Sequence, residues 1–483
     1  MSSSAPMPFR KEHARLLVFA GTLTLIVALH FSYQYLIAPF YSYAKLTYTS
    51  PDPLIYGLLI VLILAMALIM PLRLARPSDF VLWVLYAVMV IPSMMIPYLT
   101  RTLGTATQLM MAFVITACFS GVILAARIPD HAFRARIRTV SPRVFWLGII
   151  LFSAATYGGL AASGAIKFAI PSLTQVYDVR AQFSDYLANN RVVGYLVPNQ
   201  ANVINPLVIA TGLYLRRWWM VIVGMLGELV IYAAAAYKTV LFAIPVLLIV
   251  AFVFRKSRPR QSALIPWAFV GVISVSALID AALHTPWITS LFTRRFMDLP
   301  GFLTGAWVSV FSEGPKALFA YSFLSKFFFY DYATPPAYVV AAQVLGSPQT
   351  NANANLFGDG YANFGWWGMA FESAILAVVL VLANKFSRGI PLMIVIQLFV
   401  MASITLANTS VVTALLTHGL VVGLIVLAAA PRSIWARSTL VQRGRRSHPP
   451  PAVAATASSY DGTASWWQRS KLAAVAARQN HEG

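Results

Sequence analysis

One aspartate stands among amides and glycines in the stretch Asn351–Gly368, NANANLFGDGYANFGWWG. This residue, Asp359, is the lone carboxylate of the stretch. Amide side chains both donate and accept hydrogen bonds, which suits a ligand rich in hydroxyl groups. The amides of the stretch are those of Asn351, Asn353, Asn355 and Asn363. The alternative interpretation is a tight entry into the next helix, capped by an asparagine of this stretch.

Cationic side chains are the second feature with chemical meaning, because arginine pairs its rigid charged fork with phosphate oxygens. Four of them lie in two long segments, 166–194 and 284–365, and Lys238 lies in the tight turn YKT between two predicted spans; together they predict a cradle for an anionic head group. They are Arg180, Arg191, Lys238, Arg294 and Arg295. The alternative partners are neighbouring aspartates or the phosphates of lipids.

The composition of the chain indicates where these residues must work. Of 483 residues, 59% are hydrophobic and 11% charged, against about 25% charged residues in soluble proteins. We therefore expect an all-α polytopic membrane protein with about twelve transmembrane helices, since each crossing takes about 20 apolar residues. The predicted spans are Leu16–Ala38, Leu54–Met70, Phe80–Leu99, Thr105–Ala126, Val144–Ala165, Tyr195–Leu215, Trp218–Ala236, Val240–Phe254, Ala263–Leu283, Trp366–Ala383, Ile390–Ala407 and Val411–Ala430.

The net charge of +21 does not indicate nucleic acid, because the basic residues cluster between the apolar segments. The positive-inside rule places both termini in the cytoplasm and makes the two long segments external loops, in which the aromatic residues predict short amphipathic helices. Residues 1–431 form the predicted membrane domain, and residues 432–483 a disordered, basic cytoplasmic tail. Cys118 is the one cysteine, and no Cys/His spacing typical of a metal site occurs, so no metal is expected.

Glu228 lies in the middle of a predicted span, where an ionisable group is costly and usually marks function. Pairing with another helix, or a protonated carboxyl group, would also explain it. Glu372 and Asp280 lie nearer the ends of their spans, and His418 is typical of a hydrogen-bonded residue inside a bundle. Glu228 is the main feature that favours a transporter.

A resemblance to a known family covers the same stretch. The run around Asp359 resembles the late segment of bacterial oligosaccharide repeat unit polymerases, the Wzy-type O-antigen polymerase family. In that family a Gly-acidic-x-Tyr-x-Asn-x-Gly pattern closes the large external loop before a spanning helix, and the acidic residue is often Glu. VYDVRAQF, the YKT turn and TRRFMDLPG are similar in kind and order, so the resemblance covers Val176–Gly368 and the multi-span layout.

The resemblance implies a glycosyltransferase of the C-type, without cofactor or metal. It would polymerise repeat units linked to undecaprenyl diphosphate into a surface polysaccharide, at the outer face of the bacterial cytoplasmic membrane. Asp359, with Asp298 and His284 behind it, would activate the sugar hydroxyl, and Arg294 and Arg295 would stabilise the diphosphate leaving group. Substrate contacts would fall to Arg180, Arg191, Lys238, Asn353, Asn355, Tyr361 and Asn363. The implied partners are polyprenyl-diphosphate-linked oligosaccharides, membrane lipids, a flippase and a chain-length regulator.

Other functions stay open at this point. An O-antigen ligase joins the same kind of donor to a different acceptor, and the sequence separates the two poorly. A secondary transporter belongs to another class, although no clear repeat relates the two halves of the chain. A non-catalytic scaffold, whose tail binds a partner, is the third possibility.

Overall fold

The computed structural model describes residues 11–129, 139–162, 164, 179, 182–183, 186, 190–254, 261–322 and 324–436. Within these residues the chain is helical and has no β-strand, so the predicted all-α class is confirmed. The chain divides into two units, Met1–Trp435 and Ala436–Gly483. Of the predicted disordered tail, residues 437–483 lie outside the described residues.

The helices follow one another with short connections in most of the chain. The α-helices are Lys11–Ser32, Ala38–Tyr41, Pro53–Ile69, Pro77–Leu85, Ile91–Leu99, Thr105–Ala125, Pro142–Ala162, Arg191–Asn199, Asn205–Leu215, Trp218–Ala235, Lys238–Phe254, Ile265–Leu283, Trp287–Thr289, Leu299–Glu313, Pro336–Leu345, Leu356–Phe386, Leu392–Thr405, Val411–Thr417 and Leu420–Ala429. Turns of π-helix cover Tyr33–Ile37, Tyr86–Val90, Gln200–Ile204 and Ser290–Asp298, and turns of 3-10 helix cover Ser42–Ala44, Gln261–Leu264 and Leu406–Asn408.

Seven helices of the described residues are long and apolar enough to cross a membrane, or eight with the bent pair Val411–Thr417 and Leu420–Ala429. The predicted number of about twelve is not confirmed. Helices cover the other predicted spans, but several of them are short: Pro53–Ile69 has 17 residues, which gives a rise of about 26 Å against a hydrocarbon core of about 30 Å. The predicted span Tyr195–Leu215 is interrupted by the π-helical turn Gln200–Ile204.

Basic side chains gather at one end of the helix Leu356–Phe386. Arg432 donates from Nη2 to the carbonyl oxygen of Phe386 at 2.6 Å. Arg76 donates from Nη1 to the carbonyl oxygen of Ala126 at 3.1 Å, which also accepts a hydrogen bond from the Asn384 side chain at 3.0 Å. Arginine side chains therefore cap open carbonyl groups at this end of the bundle, and the stretch that holds Asp359 lies at the other end of the same helix.

Candidate active site

The helix Leu356–Phe386 is broken near its beginning. Phe364 has φ −140° and ψ 24°, and Gly365 has φ +62° and ψ −145°. The positive φ of Gly365 is a conformation that glycine adopts at little cost. We call Phe364 and Gly365 the break, residues 356–363 the first half and residues 366–386 the second half.

The two halves fold back onto each other through two glycines. A Cβ atom built on Gly360 would lie 2.5 Å from the carbonyl oxygen of Gly368, and one built on Gly368 would clash with the carbonyl oxygen of Gly360. The backbones therefore touch, and neither position has room for a side chain. This contact fixes how residues before and after the break face one another.

Asp359 of the first half and Glu372 of the second half are brought together by this fold. Their carboxyl groups lie close enough to interact directly, and Oε1 of Glu372 receives no hydrogen bond from the described residues. Asp359 is 6% exposed and Glu372 is 0% exposed. Two carboxylates in such contact repel strongly, so the arrangement favours one proton held between them. We call Asp359 and Glu372 the carboxyl pair; a pair of this kind can accept and return a proton.

Hydrogen-bond donors orient the carboxyl pair from several sides. The Tyr321 hydroxyl donates to Oδ1 of Asp359 at 3.3 Å, and Nδ2 of Asn363 donates to its Oδ2 at 3.2 Å. The backbone N–H of Val411 donates to Oε2 of Glu372 at 3.0 Å. These donors stabilise negative charge on either member of the pair.

The neighbours of the pair are themselves fixed. Oδ1 of Asn363 accepts a hydrogen bond from the backbone N–H of Phe319 at 2.7 Å, so this amide joins the break to the preceding loop. Ser410 lies close to Asp359, and its hydroxyl donates to Oγ1 of Thr413 at 3.0 Å. Burial raises the pKa of the Tyr321 phenol above its ordinary value, and the charge of Asp359 raises it further. Tyr321 therefore stays a proton donor over the ordinary pH range.

A cation lies over the break. Nζ of Lys316 is 4.2 Å from the centroid of the Tyr361 ring and donates a hydrogen bond to the carbonyl oxygen of Phe311. The ring of Trp366 meets that of Tyr361 edge to face, with centroids 4.6 Å apart. Burial lowers the pKa of the Lys316 ammonium. The Lys316 side chain lies beside the break, because a Cβ atom built on Gly365 would be 3.8 Å from its Cε, and its half-buried ammonium is held by an aromatic face.

Aromatic rings continue from the break along the preceding loop. Phe319 and Phe364 have ring centroids 5.8 Å apart, and Tyr321 and Tyr330 have centroids 5.7 Å apart. The aromatic side chains with the highest exposed fractions in this region are those of Phe327, Phe329 and Trp367. Such surfaces can stack on sugar rings or enter the lipid interface.

Asn355 has a structural place in the fold. Its Oδ1 accepts from the backbone N–H of Phe357 at 3.0 Å and of Gly358 at 3.3 Å, so it caps the first half. Its Nδ2 donates to Oγ of Ser93 at 3.1 Å and to Oγ1 of Thr304 at 2.9 Å. These four hydrogen bonds satisfy the buried amide. Asn355 therefore caps the helix, which is the alternative interpretation given for this stretch from the sequence. Asn353, in contrast, is exposed.

Asp298 lies at the end of the π-helical turn Ser290–Asp298 and is 0% exposed. Its carboxyl oxygens make no hydrogen bond to the described residues. Burial raises its pKa well above the ordinary value, and the Arg294 guanidinium acts in the opposite direction. Arg294 itself donates from Nε to Oγ of Ser290 at 2.9 Å and lies 4.2 Å from the ring centroid of Tyr41. The hydrogen bonds of the carboxyl pair do not include Asp298.

The remaining cations of the predicted cradle are placed only in part. Arg295 and Arg191 are exposed. Arg180 lies outside the described residues, as does the side chain of Lys238. A cradle formed by the whole set therefore stays a prediction.

Among the described residues, no group of three or more His, Cys, Asp or Glu side chains could hold a metal ion.

Glu372 and Tyr321 were missed as site residues by sequence reasoning, which placed Glu372 near the end of a span. The available signal was the spacing of Gly360, Gly365 and Gly368. A positive-φ turn at the middle glycine lets the outer two touch, and this brings the residues beside them together.

Comparisons with protein-family models, curated proteins and solved structures find no match to the chain.

Proposed function

We propose that the protein polymerises oligosaccharide repeat units linked to undecaprenyl diphosphate, as a metal-independent glycosyltransferase of the membrane. The observation that carries this proposal is the carboxyl pair, set beside a half-buried ammonium group and a line of aromatic rings. Each feature matches a need of the reaction: a base for the hydroxyl, a positive charge for the diphosphate, and flat surfaces for the sugars.

The reaction forms one bond and breaks one bond. A sugar hydroxyl of the acceptor attacks the anomeric carbon of the donor glycan, and the bond from that carbon to the diphosphate oxygen breaks. The leaving undecaprenyl diphosphate takes the bonding electrons, and the hydroxyl proton passes to Asp359. Together with the proton that the pair already holds, this leaves both carboxyl groups protonated, while Tyr321 and Asn363 hold Asp359 in place. Because the base is oriented in advance, little reorganisation is needed at the moment of attack.

The diphosphate carries the charge that must be stabilised in the transition state. Lys316 is the described cation at the break, and its lowered pKa reflects a partly desolvated site where an anion is bound more strongly than in water. Arg294 and Arg295 are assigned to the same task in the proposal, since they belong to the same external segment. Asn353 and Tyr361 are left to contact sugar hydroxyls.

The location follows from the distribution of charge. Arg76, Arg127 and Arg432 hold carbonyl groups at the end of the bundle away from the carboxyl pair. The positive-inside rule assigns that end to the cytoplasm. The proposal therefore puts both termini inside and the carboxyl pair at the outer face of the bacterial cytoplasmic membrane. A flippase would deliver the repeat units to that face.

The test uses the full-length protein in nanodiscs with a synthetic undecaprenyl-diphosphate oligosaccharide matched to the glycan of the host, in the presence of EDTA. A polymerase gives a ladder of products that differ by one repeat unit. A ligase gives a single product, and only when its separate acceptor is supplied. Failure of any transfer with a substrate that a reference enzyme accepts would contradict the proposal.

A further inference from the structure

Glu228 is an ionisable residue that the proposed reaction does not use. It lies in the helix Trp218–Ala235 and is 0% exposed. Neither of its carboxyl oxygens makes a hydrogen bond within ordinary geometry to the described residues. The polar group that faces it is the Asn205 side chain, whose Nδ2 also makes no hydrogen bond to those residues. A carboxyl group and an amide thus meet inside the bundle with unused hydrogen-bonding capacity.

A hydrogen-bonded chain leads from this meeting point toward the surface of the bundle. Oδ1 of Asn205 accepts from Nε2 of Gln200 at 2.8 Å and from the Tyr157 hydroxyl at 3.1 Å. Nε2 of Gln200 also donates to Oγ of Ser153 at 3.0 Å. Tyr157 and Ser153 are only half-buried. The amide that faces Glu228 is therefore connected, through a glutamine and two hydroxyl groups, to half-buried residues of the helix Pro142–Ala162.

The packing around the cluster is specific. A Cβ atom at Gly227 would clash with the Tyr157 hydroxyl and would lie 2.9 Å from Oδ1 of Asn205. The glycine next to Glu228 in the chain thus makes the space that the polar groups occupy. Any larger residue at position 227 must displace Tyr157 or Asn205.

Two helix irregularities adjoin the cluster. Gln200 begins the π-helical turn Gln200–Ile204, and Asn205 follows it directly. The helices Val411–Thr417 and Leu420–Ala429 meet at a bend of 55°, and Nδ2 of Asn199 donates to the carbonyl oxygen of Leu416 just before that bend, at 2.9 Å. Helix breaks and π-helical turns in membrane proteins often accompany binding sites for small ions.

No positive side chain among the described residues acts on Glu228. The polar groups that face it are the Asn205 amide and the Tyr157 phenol. The next helix, Lys238–Phe254, has one titratable residue in its sequence, Lys238. The side chain of Lys238 lies outside the described residues. An ionised carboxylate so deeply buried needs a positive partner.

That partner can be a proton or a metal cation, and the geometry favours the proton. A metal cation needs several oxygen ligands. Oδ1 of Asn205 already accepts two hydrogen bonds, and its Nδ2 is a donor that repels a cation. No acidic cluster is present to add oxygens among the described residues. A proton needs one oxygen of Glu228 and nothing else.

We propose that Glu228 and Asn205 form a proton-binding site within the bundle, whose occupancy is linked to the bend between Val411–Thr417 and Leu420–Ala429. When the proton is bound, the neutral carboxyl group fits the buried cluster. When it leaves, the carboxylate draws the Asn205 amide, and the π-helical turn attached to Asn205 moves against the bend. The site is separate from the carboxyl pair, so it stands or falls independently of the proposed glycosyl transfer.

The test is infrared difference spectroscopy of the full-length protein in nanodiscs, titrated with pH. The wild type should show the carbonyl band of a protonated carboxyl group at neutral pH, and Glu228→Gln should lose one such band. Glu313→Gln, which changes an exposed carboxylate, should leave it unchanged. Tyr157→Phe keeps Glu228 and should shift the band, because the hydrogen-bonded chain is shortened; this variant serves if Glu228→Gln does not fold.

Identical spectra for the wild type and Glu228→Gln at neutral pH would overturn the proposal. Loss of the band on adding sodium ions at constant pH would also overturn it, in favour of a metal cation. The link to the bend is tested by hydrogen exchange at residues 411–420. Exchange in the wild type should exceed that in Glu228→Gln once the band has titrated away, and equal exchange at every pH would contradict the link.

Discussion

Asp359 and Glu372 meet side chain to side chain although they belong to one helical segment. In a straight helix they would be about 20 Å apart along the axis. The positive φ of Gly365 and the contact of Gly360 with Gly368 bring the two residues together instead. The candidate site thus depends on backbone packing as much as on the acidic residues themselves.

The glycine contact should be sensitive to one added methyl group. Gly360→Ala or Gly368→Ala forces the two halves apart, and such overpacking costs about 1–3 kcal/mol of the free energy of unfolding. Thermal melting in detergent would measure the loss. Gly271→Ala is the matched control, because nothing lies within 4 Å of its added Cβ and alanine is the better helix former. Equal melting of all three variants would contradict the close contact.

Substitutions of Asn355 and Asn353 should have different effects. Asn355→Ala removes a helix cap and leaves the Ser93 and Thr304 hydroxyls without their amide partner, so we expect a loss of about 2–4 kcal/mol. Asn353→Ala, at an exposed position, should leave stability unchanged and raise KM if this amide contacts sugar. If the Asn355→Ala variant is as stable as the wild type and is defective only in substrate binding, Asn355 contacts the substrate, as the sequence predicted.

Tyr321 should matter through its hydroxyl group. Tyr321→Phe keeps the ring and removes the donor to Asp359; a hydrogen bond to a charged group is worth about 1.5–3 kcal/mol, so transfer should slow roughly 10- to 150-fold. Tyr330→Phe, whose hydroxyl bonds the Thr334 carbonyl oxygen, is the control. Because the Tyr321 pKa is raised, its ionisation should not limit the rate below about pH 10. A rate unaffected by Tyr321→Phe would remove this residue from the site.

Lys316 predicts an alkaline limit to activity. Burial lowers its pKa, so the ammonium charge is present at low pH and is lost, as pH rises, before an ordinary lysine would lose it. The rate of transfer should fall over that same range. Lys316→Arg, which stays charged, should move the fall to higher pH. If the two pH profiles coincide on the alkaline side, Lys316 does not hold the leaving group.

Much of the architecture could be predicted from apolar run lengths, because burial in lipid requires helices of nearly fixed length. Pro53–Ile69 shows where that argument stops, since a short helix can be apolar without being long enough to span by itself. Asp359 was found because a carboxylate among amides is conspicuous. Glu372 was not, because its partner is reached through a turn at Gly365 that no periodicity reveals. Asn355 shows the converse: an amide suited to a ligand is satisfied by Ser93 and Thr304 instead.

The most direct test of the central claim is the single-turnover rate of glycosyl transfer in nanodiscs for Asp359→Asn and Glu372→Gln, beside Glu313→Gln. Both variants of the carboxyl pair keep the size and shape of the side chain, and melting curves establish that each is folded. We predict that each pair variant loses transfer by about 10²- to 10⁴-fold, the usual contribution of a positioned acid or base, while Glu313→Gln retains the wild-type rate. A folded Asp359→Asn protein that transfers sugar at the wild-type rate would contradict the account.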